Sequence, residues 1–314
     1  MTQNPRKMTQ NPGKRRARRG FTLIETLLVI GVFGMIIGLL AWLTVDTGRL
    51  GKETMMDATM SSAGRVRLDT FINDVRDSSD VLASWKDPNT NTTYTSHLTN
   101  ATSSPPTYYA TLILEAPAYD ASNAVPTTQQ PDGTLRPSYY DHIIYQMEPA
   151  ASSPVPLYTL NRLVITDSHS ARAAMPDTVL AQNVASVSFT CLVDQAFDGT
   201  GTQTTFSLKA PVSTSGSDVV AAATVGGATQ NQPADVRYIA PATGVSNGTL
   251  LFTTAPAAGA HVDALYSVDC SAGNQGLVTG ASLDLMLAVV DPSLSVAAQR
   301  QTLELSGRAN LHNH

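Results

Sequence analysis

The chain has 314 residues, with 20 Lys+Arg against 25 Asp+Glu and two cysteines, for a formal net charge of −5. Its charge is unevenly placed: Arg6, Lys7, Lys14, Arg15, Arg16, Arg18 and Arg19 lie before residue 20 with no acid among them, leaving 13 Lys+Arg against 25 Asp+Glu, net −12, in the rest. An acidic body argues against non-specific binding to nucleic acid or anionic lipid.

The first 20 residues repeat MTQNP at positions 1–5 and 8–12 and carry no apolar period, so no fold is assigned to them. Residues 20–45, GFTLIETLLVIGVFGMIIGLLAWLTV, form an apolar run long enough to cross a bilayer as a helix. Basic residues crowd its N-terminal flank, which places that end in the cytoplasm and the following chain outside. The run holds one ionisable group, Glu25. A carboxylate there costs about 2.5–3.5 kcal/mol on insertion scales and so marks a functional position.

The string RRGFTLIE (18–25) resembles the signal of type IV prepilins and type II secretion pseudopilins. That resemblance implies cleavage after Gly20 by a prepilin peptidase and N-methylation of the new terminal Phe21. It also implies a role in assembly for Glu25, four residues on, as partner of the Phe21 amine of a neighbouring subunit. A leader of residues 1–20 would be removed, and the remainder would sit in the inner membrane by one span with its head exported.

No proline interrupts residues 21–86, so the helix is expected to run on to about residue 82, as a spine of which 21–45 is the membrane part. Gly34 and Gly38 form a GxxxG pair, which permits either close helix approach or local bending. Met56, Met60, Leu68, Phe71, Ile72 and Val75 recur at three- and four-residue spacing, with Asp69, Asn73 and Arg76 off that stripe. The stripe is expected to seat a globular head over 83–314.

The segment RVRLDTFINDVRDSS (65–79) is similar to the helix end of large J-type minor pseudopilins and PilW-like minor pilins. YDHIIYQME (140–148) with LYTLNRLVI (157–165), the latter containing a Leu-x-Arg, looks like their paired strands. VLAQNVASVSFTCLVD (179–194) and two C-terminal strand-like runs continue the likeness. Residues 88–107, rich in Asn, Thr, Ser and Pro, read as a surface loop. Residues 198–276, dominated by Ala, Gly, Thr and Ser, read as an inserted region with short strands near 204–208, 218–224, 236–239, 249–253 and 262–268. The expected class is α+β: a long N-terminal helix packed against an antiparallel β-rich head.

Cys191 and Cys270 both fall in the exported part and would either form a disulfide or leave Cys191 a buried free thiol. The six histidines make no HExxH, and neither a CxxC, a GxSxG nor a Gly-rich phosphate loop occurs, so no cofactor and no catalysis are expected. Asp194 and Asp198 in DQAFDGTG fit either a calcium-binding loop, as some pseudopilins have, or a solvated Asp-Gly turn. Tyr108–Tyr109 and Tyr139–Tyr140 suit contact surface or strand-edge packing. The expected function is that of a minor pseudopilin or pilin-like structural subunit of an envelope-spanning filament. Its partners would be the peptidase, other pilin subunits through helix–helix packing and the inner membrane, with no nucleic acid. The alternative is a filament-borne binding module, an adhesin or DNA-capture pilin, acting through the inserted region.

Overall fold

The computed structural model describes residues 23–99, 101, 103, 106–150, 157–212, 220–225, 228–229, 235–240, 247–270, 276–288 and 302–311. They fall into two compact units, Met1–Ala58 and Thr59–His314. The first helix, α1, is Leu23–Asp77. After it come β1 (Asp80–Leu82), β2 (Ser84–Lys86), β3 (Thr93–Thr95), β4 (Thr111–Pro117), β5 (Thr127–Gln129) and β6 (Leu135–Pro137). Next are β7 (Tyr140–Pro149), β8 (Tyr158–Ile165), β9 (Met175–Asp198), β10 (Thr205–Ser207), β11 (Val220–Val225) and β12 (Ala228–Thr229). The described strands end with β13 (Val236–Ile239), β14 (Thr249–Phe252), β15 (His261–Val268), β16 (Gly280–Ala288) and β17 (Thr302–Asn310). The class is α+β, an N-terminal apolar helix followed by a largely antiparallel β body.

Ten strands make one sheet, in which β1-β4-β7-β8-β9-β15-β11-β12 run in order and β16–β17 attach to β9. The 24-residue β9 organises it. Val184 pairs with both Tyr158 and Leu287, and Leu192 with both Ser267 and Gly280, so β8 and β15 share one side of β9 while β16 takes the other. Asn183, in the left-handed region at φ 57°, lies in the register shift between Ala181 and Val184, where the pairing of β8 with β9 ends. Asparagine tolerates that conformation better than most residues, which suits it to a bulge.

The C-terminal turns of α1 form the seat expected for the head, while the side chains of Met56 and Met60 on the same stripe lie outside the described residues. Phe71 and Val75 are fully buried and Leu68 nearly so, whereas Asp69, Asn73 and Arg76 face solvent. Phe71 meets the Tyr145 ring edge-on at 5.3 Å and stacks on Phe189 at 6.3 Å. β17 approaches the same helix face so closely that a Cβ on Gly307 would lie 2.9 Å from Leu68 Cδ2.

A charge is set into this apolar seat. Asp74, 7% exposed, accepts from Arg162 Nε at 2.5 Å and Nη2 at 2.7 Å, and from the Tyr145 hydroxyl. A two-pronged guanidinium–carboxylate pair fixes distance and orientation together. Burial and then the neighbouring Asp74 charge push the Tyr145 phenol well above its ordinary range, so it remains a donor. Burial opposes the charge on Arg162, but the Asp74 hydrogen bonds and charge outweigh it and raise its pKa.

The helix ends at Asp77 and not at about 82, because the next residues gain more from the sheet. The Ser78 hydroxyl donates to Asp74 O at 2.6 Å, Ser79 N donates to Glu115 O at 2.8 Å, and 80–82 pair with 113–115. Residues 88–107 are likewise not all loop. β3 pairs with β2, with Trp85 opposite Tyr94, and the Asp87 carboxylate takes Asn89 N at 2.8 Å and Thr90 Oγ1 at 2.6 Å across the turn. An Asx turn of this kind was hidden in a segment read by composition alone.

Residues 198–276 supply β11, β12 and β15 to the main sheet and form a separate sheet in the order β10-β14-β13. The two are tied together by Gln195, whose carbonyl accepts from Lys209 N at 2.9 Å and from the Tyr266 hydroxyl at 3.0 Å. Cys191 on β9 and Cys270, two residues past β15, form a disulfide with Cα atoms 5.7 Å apart. The free-thiol reading of Cys191 therefore gives way to the bridge.

Replacing Arg162 by Ala should lower the unfolding free energy by about 3–5 kcal/mol, since it leaves the Asp74 carboxylate buried without its cation. Asp74→Ala should cost a similar amount and the double variant less than the sum, measured by denaturant midpoints. Cys191→Ala with Cys270→Ala should lower stability by about 2–4 kcal/mol, because the bridge closes a long loop in the unfolded chain.

Candidate functional site: the N-terminal apolar segment

Within the first unit, the described part of α1 opens on Leu23, and Glu25 lies in its first turn, where the exposed amide ends of a helix favour an acid. The Glu25 side chain is exposed. Gly20 and Phe21, the expected processing residues, lie outside the described residues. Thr26 returns its hydroxyl to Leu23 O at 3.1 Å.

Residues 23–44 make a span of 22, at 1.5 Å each about 33 Å, close to the thickness of a hydrocarbon core. None of that span is buried within the protein. Ile24 is 75% exposed, Met35 77% and Trp42 66%, far more apolar area than a folded chain leaves to water. The polar side chains at its far end avoid the need for water. Thr44 donates its hydroxyl to Leu40 O, and Thr47 to Leu43 O at 2.7 Å. Such bonds one turn back satisfy a hydroxyl in apolar surroundings.

Gly31, Gly34 and Gly38 have nothing within 4 Å of where a Cβ would stand. No contact inside the described chain explains why these positions are glycine. The surface they leave is flat and open.

Elsewhere the expected candidates disperse. Asp194 lies within β9 and Asp198 ends it, opposite Leu265 and His261, so the two do not share one calcium-binding loop; Asp198, 92% exposed just before Gly199, fits the solvated Asp-Gly turn. Among the described residues no cluster of His, Cys, Asp and Glu is arranged to hold a metal. Tyr108 stacks on His97 at 4.2 Å, and Tyr139 on His169 at 4.0 Å, each a ring pair within the head. The Asp74–Arg162 pair escaped the sequence reading, although a signal for it existed. Asp74 stands three residues after Phe71 and next to Val75, an acid on the apolar stripe.

If the chain is cut after Gly20, as the prepilin resemblance implies, Gly20→Val should leave a full-length precursor in the membrane fraction, because a branched side chain crowds the bond to be cut. A mature chain beginning at Phe21 in that variant, read by mass spectrometry, would contradict processing at this site.

Residues 15–41 match the family model of the prokaryotic N-terminal methylation motif. No curated protein and no solved structure matches the chain. The matched stretch contains Arg15, Arg16, Arg18 and Arg19 of the basic flank, Gly20, Phe21, Glu25 and most of the apolar span. The chain thus carries a prepilin-type N-terminal methylation motif, the signal of type IV pilin-like and pseudopilin subunits.

Proposed function

We propose that this protein is a minor pseudopilin or pilin-like structural subunit of an envelope-spanning type II secretion or type IV pilus filament. The observation that carries the reading is an apolar helical span, exposed along its length and holding Glu25, that overlaps a methylation motif. The subunit is not an enzyme; its work is to insert, to be processed, and to pack. Positive charge before residue 20 keeps the N-terminus cytoplasmic and sends the head out. The Cys191–Cys270 bridge supports an oxidising compartment for the head.

In this reading the prepilin peptidase cuts after Gly20, and Phe21 becomes a methylated, cationic terminus. When the span leaves lipid for a bundle of like helices, Glu25 faces apolar neighbours, and its charge must then be neutralised or paired. The Phe21 amine of the adjacent subunit supplies the cation and sets the axial register between spines. The flat surface at Gly34 and Gly38 lets a neighbouring helix come close.

Glu25→Gln keeps size and membrane insertion but removes the charge that selects the amine. The expected result is normal insertion and cleavage, with incorporation into filament complexes reduced about tenfold or more, equivalent to at least about 1.4 kcal/mol. Disulfide cross-linking between Thr22→Cys and Leu28→Cys spines would measure it. An undiminished cross-link in the Glu25→Gln variant would refute the pairing.

A further inference from the structure

The head holds a cleft of about 480 Å³, within the roughly 300–1,000 Å³ that small-molecule sites occupy. Part of its wall is the stretch from Thr95 to Thr99, at and after the end of β3. Backbone bonds fix that stretch to three separate segments. Ser96 N donates to Ala83 O at 2.8 Å, His97 and Thr111 exchange bonds of 2.9 and 2.7 Å, and Phe189 N donates to Leu98 O at 2.9 Å. Another part of the wall is Asp269 and Cys270, the two residues after β15, which the bridge to Cys191 ties to β9. Walls held in this way are formed before a ligand arrives, so little ordering entropy is lost on binding.

Tyr108 gives the cleft a flat surface. Its ring stacks on His97 at 4.2 Å, inclined by 19°, and the residue remains 40% exposed where it lines the cleft. An aromatic ring held on one face by an imidazole is a rigid platform with few rotamers left to lose. Near it stand three exposed hydroxyl residues, Ser84, Thr95 and Thr99, and the exposed Asp269. The Ser96 hydroxyl is already engaged, donating to Leu82 O at 2.6 Å. Among the described lining residues Asp269 is the one acid, and there is no Lys or Arg.

We propose that this cleft binds a neutral pyranose ring. Such a ring has a face of polarised C–H groups, which matches the electron-rich face of an aromatic side chain. Its rim of hydroxyls both donates and accepts, as do the serine and threonine hydroxyls around it. The two oxygens of Asp269 accept from neighbouring sugar hydroxyls, and such charge-assisted bonds are about twice as strong as neutral ones. Other ligand classes fit less well. A phosphate, a sulfate or an acidic sugar meets Asp269 and a body with 13 Lys+Arg against 25 Asp+Glu, so its charge is repelled. A purely apolar ligand takes water from the hydroxyls and returns no hydrogen bond. A lysine or arginine side chain uses Asp269 and leaves the hydroxyls idle.

The test uses full-length protein in micelles of a detergent without a sugar headgroup. Saturation-transfer NMR is recorded with the methyl pyranosides of glucose, galactose and mannose and with N-acetylglucosamine. At least one of these probes should bind with a Kd of about 0.1–10 mM, with transfer concentrated on the ring C–H protons. Tyr108→Ala should weaken that binding about tenfold or more, and Tyr108→Phe should keep it. Asp269→Asn, at an exposed residue, should weaken it about threefold or more, and reads the same site independently of the ring. The uronic acid of the bound sugar should bind about tenfold more weakly than the neutral form. Tyr139→Ala removes a tyrosine that stacks on His169 in the same manner but does not line this cleft, and should change nothing. Denaturant midpoints show which variants are folded. Absence of transfer from every probe at about 50 mM would overturn the site, as would binding that folded Tyr108→Ala and Asp269→Asn leave unchanged. Tighter binding of the acidic sugar would overturn the neutral class. None of these readouts depends on the membrane segment or on a filament, so failure would leave the subunit assignment standing.

Discussion

One carboxylate holds the head of this protein to its helix. Asp74 lies on the apolar face of α1, where Phe71 and Val75 are buried, and takes three hydrogen bonds from Tyr145 and Arg162 on adjacent strands. Apolar packing alone would let a helix slide or rotate on a sheet at small cost, since hydrophobic attraction has no direction. A buried guanidinium–carboxylate fork has direction, and it contributes mainly by the penalty for breaking it. The register between helix and sheet therefore follows from these groups, and Phe189, Leu68 and the close pass of β17 at Gly307 pack around it.

From that anchor the rest of the body extends by strand pairing. β1 follows the helix end directly and binds the edge of β4, so the last turn is tied to the sheet within a few residues. β9 then serves two sub-sheets in succession, and the disulfide at Cys191–Cys270 closes the point where β15 and β16 flank it on opposite sides. Gln195, buried beside them, carries the small β10-β14-β13 sheet. Each joint between layers is thus a specific polar or covalent link set in apolar surroundings.

The N-terminal segment obeys the opposite rule. Its side chains make no core, its glycines accommodate no neighbour, and its threonines satisfy themselves within the helix. Such a segment is suited to exchange one apolar environment for another. The one ionisable side chain in that segment is Glu25, and a carboxylate in apolar surroundings marks a functional position.

Features that depend on local pattern are legible in the order of the residues alone. The apolar run with its basic flank, the glycine–phenylalanine–glutamate spacing, the amphipathic stripe around Phe71 and the β-strands from residue 140 onward are all one-dimensional signals, set by periodicity and covalent neighbours. The strands at 236–239 and within 261–268 were visible in the same way, as β-branched and aromatic runs between breakers. Tertiary structure decided what depends on partners far apart in the chain. It ended the helix at Asp77, because the pairing of 80–82 with β4 competes successfully with further helical turns. It made Asp74 a structural ion, through Arg162 from 88 residues away, and it chose the bridge for Cys191, 79 residues from Cys270. It also brought Glu115, His142 and Trp85 into one row. No spacing in a sequence announces such contacts, since their energy exists only once the intervening chain has folded and its loop entropy has been overcome.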